Sequence, residues 1–387
     1  MMINFILKWI HVFITPRNKT IIYHSFPDVP DNSFSLFIYI LNTHPEYENV
    51  WLVDHKDKKS IYLKIISNYS NSLNFKILKK NSLLFLYFFL RSKKAIHTHG
   101  IYNIFPLSKK QKNINLWHGM PLKNIGYLDT NKIIPKSNYL ISTSLVFQEI
   151  MRKAFKIEAE NVLITGQPRN DFLFTNNFTL KNLLGISDDN KDKMILWMPT
   201  YRKSIKGDIR KDGKVDLMNR FLSHSNLTLL NNHLKKLNSR CCVKIHPMDF
   251  MNATDFKKFT NIYFVDNSFF ENKGISLYSV LSSIDLLLTD FSSIYIDFLL
   301  LNKPIGFVIS DFSEYLNSRG FVFEEPKNFM PGEIVTNTKE LISFINDVLK
   351  NQKDDHNQKR EEIKNIFHDV ASDFSKKVFD KLITEHV

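Results

Sequence analysis

Asn113-Ile114-Asn115-Leu116-Trp117-His118-Gly119-Met120-Pro121 and, in the second half of the chain, Cys241-Cys242-Val243-Lys244-Ile245-His246-Pro247 share one pattern. Each is a short apolar run that ends in histidine and then in a residue that breaks a strand. Gly119 and Pro121 force a turn directly after the first run, and Pro247 ends the second. A strand ending this way delivers its last side chains to the C-terminal edge of a sheet, where open α/β sheets bind ligands. Two such edges in two halves of one chain predict a cleft between two domains, with one histidine on each wall.

The surrounding pattern agrees. Thr20–Tyr23, Val50–Val53, Phe75–Leu78, Ala95–Thr98, Ile114–Trp117, Tyr139–Ser142 and Val162–Thr165 read as strands. Helical patterns such as Ser33–Leu41 and Leu145–Phe155 lie between them, and that alternation predicts a parallel sheet. Phe172–Asn190 reads as the linker between domains. A second set follows: strands Met194–Trp197, Cys242–Ile245, Ile262–Val265, Leu286–Thr289 and Ile305–Val308, with helices over Asn219–Leu237 and Ser292–Leu301. Lys339–Leu349 and Gln358–Leu382 are amphipathic helical segments. The chain has 387 residues, enough for two domains that each bury a core.

The net charge is +13, from 52 Lys+Arg against 39 Asp+Glu. Such a field favours anionic partners. The lysines are scattered, which argues against a dedicated nucleic-acid groove. The two cysteines are adjacent, Cys241 and Cys242, and point to a reducing compartment with both thiols as small strand residues. No run approaches the roughly 18 apolar residues that span a bilayer. The apolar N-terminus, Met1 to Ile14 with Lys8, Trp9 and His11, lacks the features of a signal peptide. It suits either a membrane interface or a helix packed on the first domain.

Candidate chemistry gathers at strand ends. A histidine at position 118 works near neutral pH as a general base. His246 occupies the matching place in the second half, and Lys244 alternates with it on the same sheet face. Thr289-Asp290-Phe291-Ser292-Ser293 joins a strand to a helix. Hydroxyls, free backbone N–H groups and the positive dipole end favour a phosphate there. Pro199-Thr200-Tyr201-Arg202-Lys203 follows another strand, and Arg202 is placed to clamp a diphosphate by a forked contact. In Thr165-Gly166-Gln167-Pro168-Arg169-Asn170-Asp171, Arg169 or Asp171 holds the two domains in register. His97-Thr98-His99-Gly100 has two histidines with no third ligand nearby and reads as cleft wall, not a metal site. No Gly-rich phosphate loop is present; the chain has only 11 glycines. Taken singly, each histidine reads as a packed turn residue and each serine as a plain N-cap. Their ordered placement at sheet edges is what points to chemistry.

Taken together, these segments resemble the CDP-glycerol glycerophosphotransferase family, the bacterial enzymes of teichoic acid and related capsule assembly. The matching pieces run from His97-Thr98-His99-Gly100 through Asn115–Lys123, Thr165–Asp171, Met198–Arg202, Lys244–Pro247 and Thr289–Asp297 to Ser318-Arg319-Gly320-Phe321 with Met330-Pro331-Gly332. Phe26-Pro27-Asp28 with Asp31-Asn32-Ser33 resembles the first βα turn of some members. Met120 stands where the family often has a small hydroxyl residue, and Gln167 replaces a frequent aromatic or small one.

The resemblance implies an α/β, GT-B-like architecture of two Rossmann-like domains facing across a cleft. An acceptor-side domain spans residues 1–178 and a CDP-donor-binding domain 190–365, and a C-terminal helix over 366–387 crosses back to the first. It implies transfer of an alditol phosphate from CDP-glycerol or CDP-ribitol to a hydroxyl of a lipid-linked or polymeric acceptor, with release of CMP. No metal or other cofactor is implied. His118 becomes the base and His246 the second catalytic histidine. Arg202, Asp290, Ser292, Ser293, Gly119 and Lys244 become substrate contacts; Asp290 either orients His246 or touches the ribose. The workplace is the cytoplasmic side of the bacterial membrane, with the protein peripheral. The chain is about the length of a catalytic core, which favours priming or short transfer over processive polymerisation. The competing readings are a nucleotide-sugar glycosyltransferase on the same fold and a basic membrane-surface or nucleic-acid-binding protein without catalysis.

Overall fold

Apolar runs buried on both faces, alternating with helices, wind into two parallel sheets in the computed structural model. It describes residues 13–26, 31–80, 82–101, 110–129, 134, 136–175, 177–187, 189, 191–199, 221–245 and 258–384. The first sheet holds β1 (Arg17–His24), β2 (Glu48–Val53), β3 (Phe75–Lys79), β4 (Ser92–His97), β5 (Lys112–Asn115), β6 (Tyr139–Ser142) and β7 (Val162–Ile164), in the order β3-β2-β1-β4-β5-β6-β7. The second holds β8 (Lys193–Met198), β9 (Ser239–Lys244), β10 (Ile262–Val265), β11 (Leu286–Thr289), β12 (Ile305–Val308) and β13 (Glu333–Val335), in the order β10-β9-β8-β11-β12-β13. All pairings are parallel. Both sheets are therefore doubly wound. Their order reverses between β1 and β4 and again between β8 and β11, the points where such sheets open a crevice.

The burial pattern explains the strands. Ile21 and Tyr23 of β1 enter one apolar cluster, while Ile22 enters another on the opposite face. In β8, Met194 and Leu196 point one way and Ile195 and Trp197 the other. Strands covered on both faces read as continuous apolar runs for this reason. The cluster containing Ile21 extends without a break into Phe291, Tyr295 and Phe307 of the second half, so one core bridges both sheets.

Local chemistry sets the helix starts. α1 (Asn32–Thr43) begins at Asp31, whose side chain accepts from the Asn32 N–H. α2 (Lys59–Ser67) and α3 (Leu83–Arg91) follow β2 and β3; α4 (Leu145–Phe155) is capped by Ser144 and α5 (His224–Lys236) by Ser223. α6 (Asn267–Lys273) begins at an Asp266 cap and ends at a left-handed Gly274. α7 (Ile294–Phe298) is shorter than the helix expected over Ser292–Leu301, because Leu299–Leu301 tightens into a 3₁₀ turn. α8 (Phe312–Ser318) and α9 (Thr338–Leu349) complete the second half. The stretch read as a linker packs against its surroundings. Pro168–Phe174 forms a 3₁₀ turn with Phe172 and Leu173 buried, and the Leu180 N–H donates to Ser283 Oγ.

The helical pattern expected over Gln358–Leu382 is split. α10 (Asn357–Phe367) is anchored by buried Arg360, which binds Asp354 and Asn302. The chain then breaks at His368, whose Nε2–H donates to the Ile296 carbonyl (2.7 Å), and the Asp369 N–H donates to the Thr143 carbonyl. α11 (Phe374–Val378) restarts against the first sheet's layer. Asp171 accepts from the Phe374 and Ser375 N–H groups at 2.9 Å each, serving as a cap supplied from elsewhere in the chain. Phe379 stacks on His44 at 3.7 Å between Tyr39 and Tyr47.

Gly166 lies under this crossing, with φ at +72° and space for a Cβ only 2.2 Å from the Phe374 ring. Gly166→Ala combines a left-handed backbone with overpacking, and should lower unfolding stability by about 2–4 kcal/mol in urea titrations.

Candidate active site at the interdomain edge

The His118 turn is built by its neighbours. Asn115, the last residue of β5, accepts the Trp117 N–H on its side chain (2.9 Å), and Trp117 adopts a left-handed φ of +50°. Asn32 at the start of α1 clamps the same turn. Its amide donates to the Leu116 carbonyl (3.2 Å), the Trp117 carbonyl (3.0 Å) and Gln167 Oε1 (3.0 Å). The His118 ring stacks on His99 at 4.1 Å and on Trp117 at 3.9 Å.

Gly119 brings the two halves into contact. Its φ is +136°, and a Cβ there would sit 2.5 Å from Ser293 Oγ and 3.0 Å from Arg169 Nη2. Any side chain would push the second half away, so glycine is required by close approach as well as by φ. Ser293 precedes α7, but its hydroxyl makes no cap bond in that helix. The turn expected to bind phosphate thus lies directly against the His118–Gly119 turn.

Behind it is a buried polar hub. Arg169 Nη1 donates to the His118 carbonyl and to Asp31 Oδ1, each at 3.0 Å, and Nη2 donates to Asp297 Oδ2 at 2.7 Å. Asp297 also accepts from Gln167 Nε2 (2.9 Å), Asn170 Nδ2 (3.1 Å) and the Tyr278 hydroxyl (2.6 Å). Each carboxylate oxygen therefore has two donors, and its burial is compensated. Burial opposes the charge on Arg169, but Tyr278, Asp297 and Asp31 more than offset this and raise its pKa.

A second junction follows in sequence. Lys123 and Phe321 form an antiparallel bridge, the Val322 N–H donates to the Leu122 carbonyl (2.9 Å), and the Asn124 N–H donates to the Gly320 carbonyl (3.2 Å). Arg319 pairs with Asp129 at 3.2 Å. The Ser318–Phe321 segment thus docks the second half onto the chain just after Met120, which is itself fully buried.

On the second sheet, Thr289 and Met198 lie side by side at the ends of β11 and β8, with Thr289 Oγ1 donating to the Met198 carbonyl (3.0 Å). Asp290 follows and is buried. Lys244 ends β9; burial pushes its ammonium down to about 8, against the pull of Cys242 and Asp266. His246 and Arg202 lie outside the described residues. His97 is a packing residue. The Gly100 N–H donates to its Nδ1, its Nε2–H donates to Asn113, and burial drops its pKa to about 3. Among the described residues no three His, Cys, Asp or Glu side chains are grouped to hold a metal ion.

Sequence reasoning found His118, Gly119, Ser293 and Arg169, all of which meet here. It missed the roles of Asn32, Tyr278, His99 and Asp297. Asp31-Asn32-Ser33 carried a visible capping signal. Nothing local marks Asp297, three of whose four donors come from the other half, or Tyr278, which donates to Asp297.

The family model described as CDP-Glycerol:Poly(glycerophosphate) glycerophosphotransferase matches residues 6–383. A teichoic acid poly(glycerol phosphate) polymerase of Bacillus spizizenii is 28% identical, over 96% of this chain and 93% of that protein. The polymerase of the same description from Bacillus subtilis is also 28% identical, over 86% of this chain but 44% of its own length. Among solved structures, the wall teichoic acid polymerase TagF superposes with a TM-score of 0.72 at 22% identity, covering 94% of this chain and 88% of that one. The first relative is a polymerase of similar length, so length does not separate priming from polymerisation.

Asp297→Ala leaves Arg169 buried with half its ion pairing gone. It should cost about 3–5 kcal/mol of unfolding free energy, measured by urea denaturation.

Proposed function

The chain belongs to the CDP-glycerol:poly(glycerophosphate) glycerophosphotransferase family, and on that premise we propose that it transfers glycerol phosphate from CDP-glycerol to an acceptor hydroxyl in teichoic acid synthesis. The observation that carries the mechanism is the contact of the His118–Gly119 turn with Ser293. That close approach of the two turns supports His118 as the base acting on a substrate held at the Ser292–Ser293 turn.

The acceptor oxygen attacks the phosphorus that bears glycerol. The bond from that phosphorus to the oxygen bridging it to CMP breaks in line, and CMP leaves. His118 takes the hydroxyl proton. Such a reaction rests on positioning and charge stabilisation. Ser292, Ser293 and Lys244 hold the donor diphosphate, with Arg202 and His246 assigned to it from sequence. A Lys244 pKa of about 8 leaves that side chain mostly charged at neutral pH. Asp290 serves the nucleotide side.

The acceptor is lipid-linked or polymeric, and the protein works peripherally at the cytoplasmic face of the membrane. Leu83, Leu84 and Tyr87 stand exposed on α3, which starts at the C-terminal edge of the first sheet beside Lys79 and Lys80. Among the described residues no helix is long and apolar enough to cross a membrane. Each near-surface Lys or Arg contributes about 1 kcal/mol toward an anionic leaflet.

Incubation with CDP-glycerol or CDP-ribitol and a lipid acceptor should release CMP, with the glycerol donor preferred; release of UDP or GDP from a sugar nucleotide instead would refute the reading. His118→Ala should lower turnover about 10²–10⁴-fold with donor binding by calorimetry retained, whereas Ser292→Ala/Ser293→Ala should weaken donor binding. Wild-type turnover in His118→Ala would remove the base assignment. Sedimentation with anionic vesicles should fall for Leu83→Glu/Leu84→Glu; equal sedimentation of variant and parent would reject the α3 face as the contact.

A further inference from the structure

His99 lies where β4 emerges from the first sheet, at the crevice between β1 and β4. Its ring meets the His118 ring almost perfectly face to face, with centroids 4.1 Å apart and planes 6° from parallel. Two contacts hold it there, one of them backed by a further hydroxyl. Thr98 Oγ1 lies 2.9 Å from His99 Nδ1, Ser25 Oγ lies 3.3 Å from Thr98 Oγ1, and the Phe26 ring meets His99 edge-on at 5.7 Å. Trp117 closes on the His118 ring as well, at 3.9 Å and 36°. The His118 plane is thus set by two rings, one from the preceding strand's end and one from its own turn.

We propose that His99 is a positioning residue for the transfer: it fixes the plane of the His118 imidazole and, as a like-charge neighbour, keeps that imidazole neutral and ready to accept a proton. This rests on the reading of His118 as the base. Two stacked imidazoles disfavour a second proton and titrate as a pair. Two charged groups described near the pair have partners of their own. On the His118 side, Arg169 contacts the turn but carries Asp31 and Asp297 as its own partners. On the other side, behind His97, Lys80 lies 3.2 Å from His24 Nε2 and 3.7 Å from Asp54. His97 itself stays neutral, with a pKa of about 3 set first by burial. The second imidazole is thus a titratable ring in direct face-to-face contact with His118.

The test is the pH profile of kcat/KM for acceptor-dependent CMP release from CDP-glycerol. In His99→Asn the acid limb should move to higher pH by about half a unit or more. Turnover should fall about tenfold as the ring plane is released, with donor KM unchanged. His99→Phe, which restores a flat ring against His118, should recover most of the turnover. Circular dichroism and donor binding establish that each variant is folded. An acid limb unmoved in His99→Asn overturns the proposal, since a merely structural residue lowers activity without shifting it. His118→Asn run in parallel separates the two readings. If it is inactive while the His99 variants keep the parental limb, the base assignment stands and this inference fails. If it turns over normally, both fall together.

Discussion

A buried carboxylate that accepts four hydrogen bonds is what the rest of this molecule depends on. Asp297 belongs to the second half, and three of its four donors, on Gln167, Arg169 and Asn170, belong to the first. A carboxylate taken out of water is costly unless every lone pair is satisfied. The two halves must therefore meet in one register. The same guanidinium that binds Asp297 also holds the His118 carbonyl and the Asp31 cap of α1. Interdomain register, the first helix and the candidate base are thus linked through one side chain, Arg169.

Around that hub the chain uses several independent fasteners. Gly119 permits close approach at the cleft floor, and the Leu122–Asn124 strand fragment pairs with Gly320–Val322 beside it. Lys58 reaches Glu271, Tyr69 reaches Ser279, and the Asn68 amide donates to the Gly274 carbonyl farther along the interface. The C-terminal segment then crosses from Ile296 to Asp171 and His44. Phosphoryl transfer asks for positioned groups more than for covalent help from the protein. An interface tied at several points supplies positioned groups.

Much of the fold was legible because hydrophobic period and turn chemistry are local. Leu145–Phe155, Tyr139–Ser142, Ile262–Val265 and Ile305–Val308 sit where their patterns place them. The elements that deviated did so for tertiary reasons. The terminal helix breaks at His368 because its imidazole and the next backbone N–H are used by Ile296 and Thr143. Packing of the Phe172–Asn190 stretch is likewise tertiary, with Phe172, Leu173 and Leu180 buried. Within the site, His118 and Gly119 were readable as a strand-ending turn, and Arg169 as a register-holding residue. His99 was readable only as wall.

By itself the sequence determined two parallel α/β halves, the strand-ending turns proposed here for chemistry, and a net positive charge suited to anionic partners. It did so because period, breakers and charge are properties of neighbouring residues. Tertiary structure alone decided that Asp297 neutralises Arg169, that Ser293 touches Gly119, and that His99 stacks on His118. A pattern shows which face a residue presents, not which residue it will meet. Those meetings depend on strand order and on how two separate sheets dock, and both are settled by the burial of the whole chain.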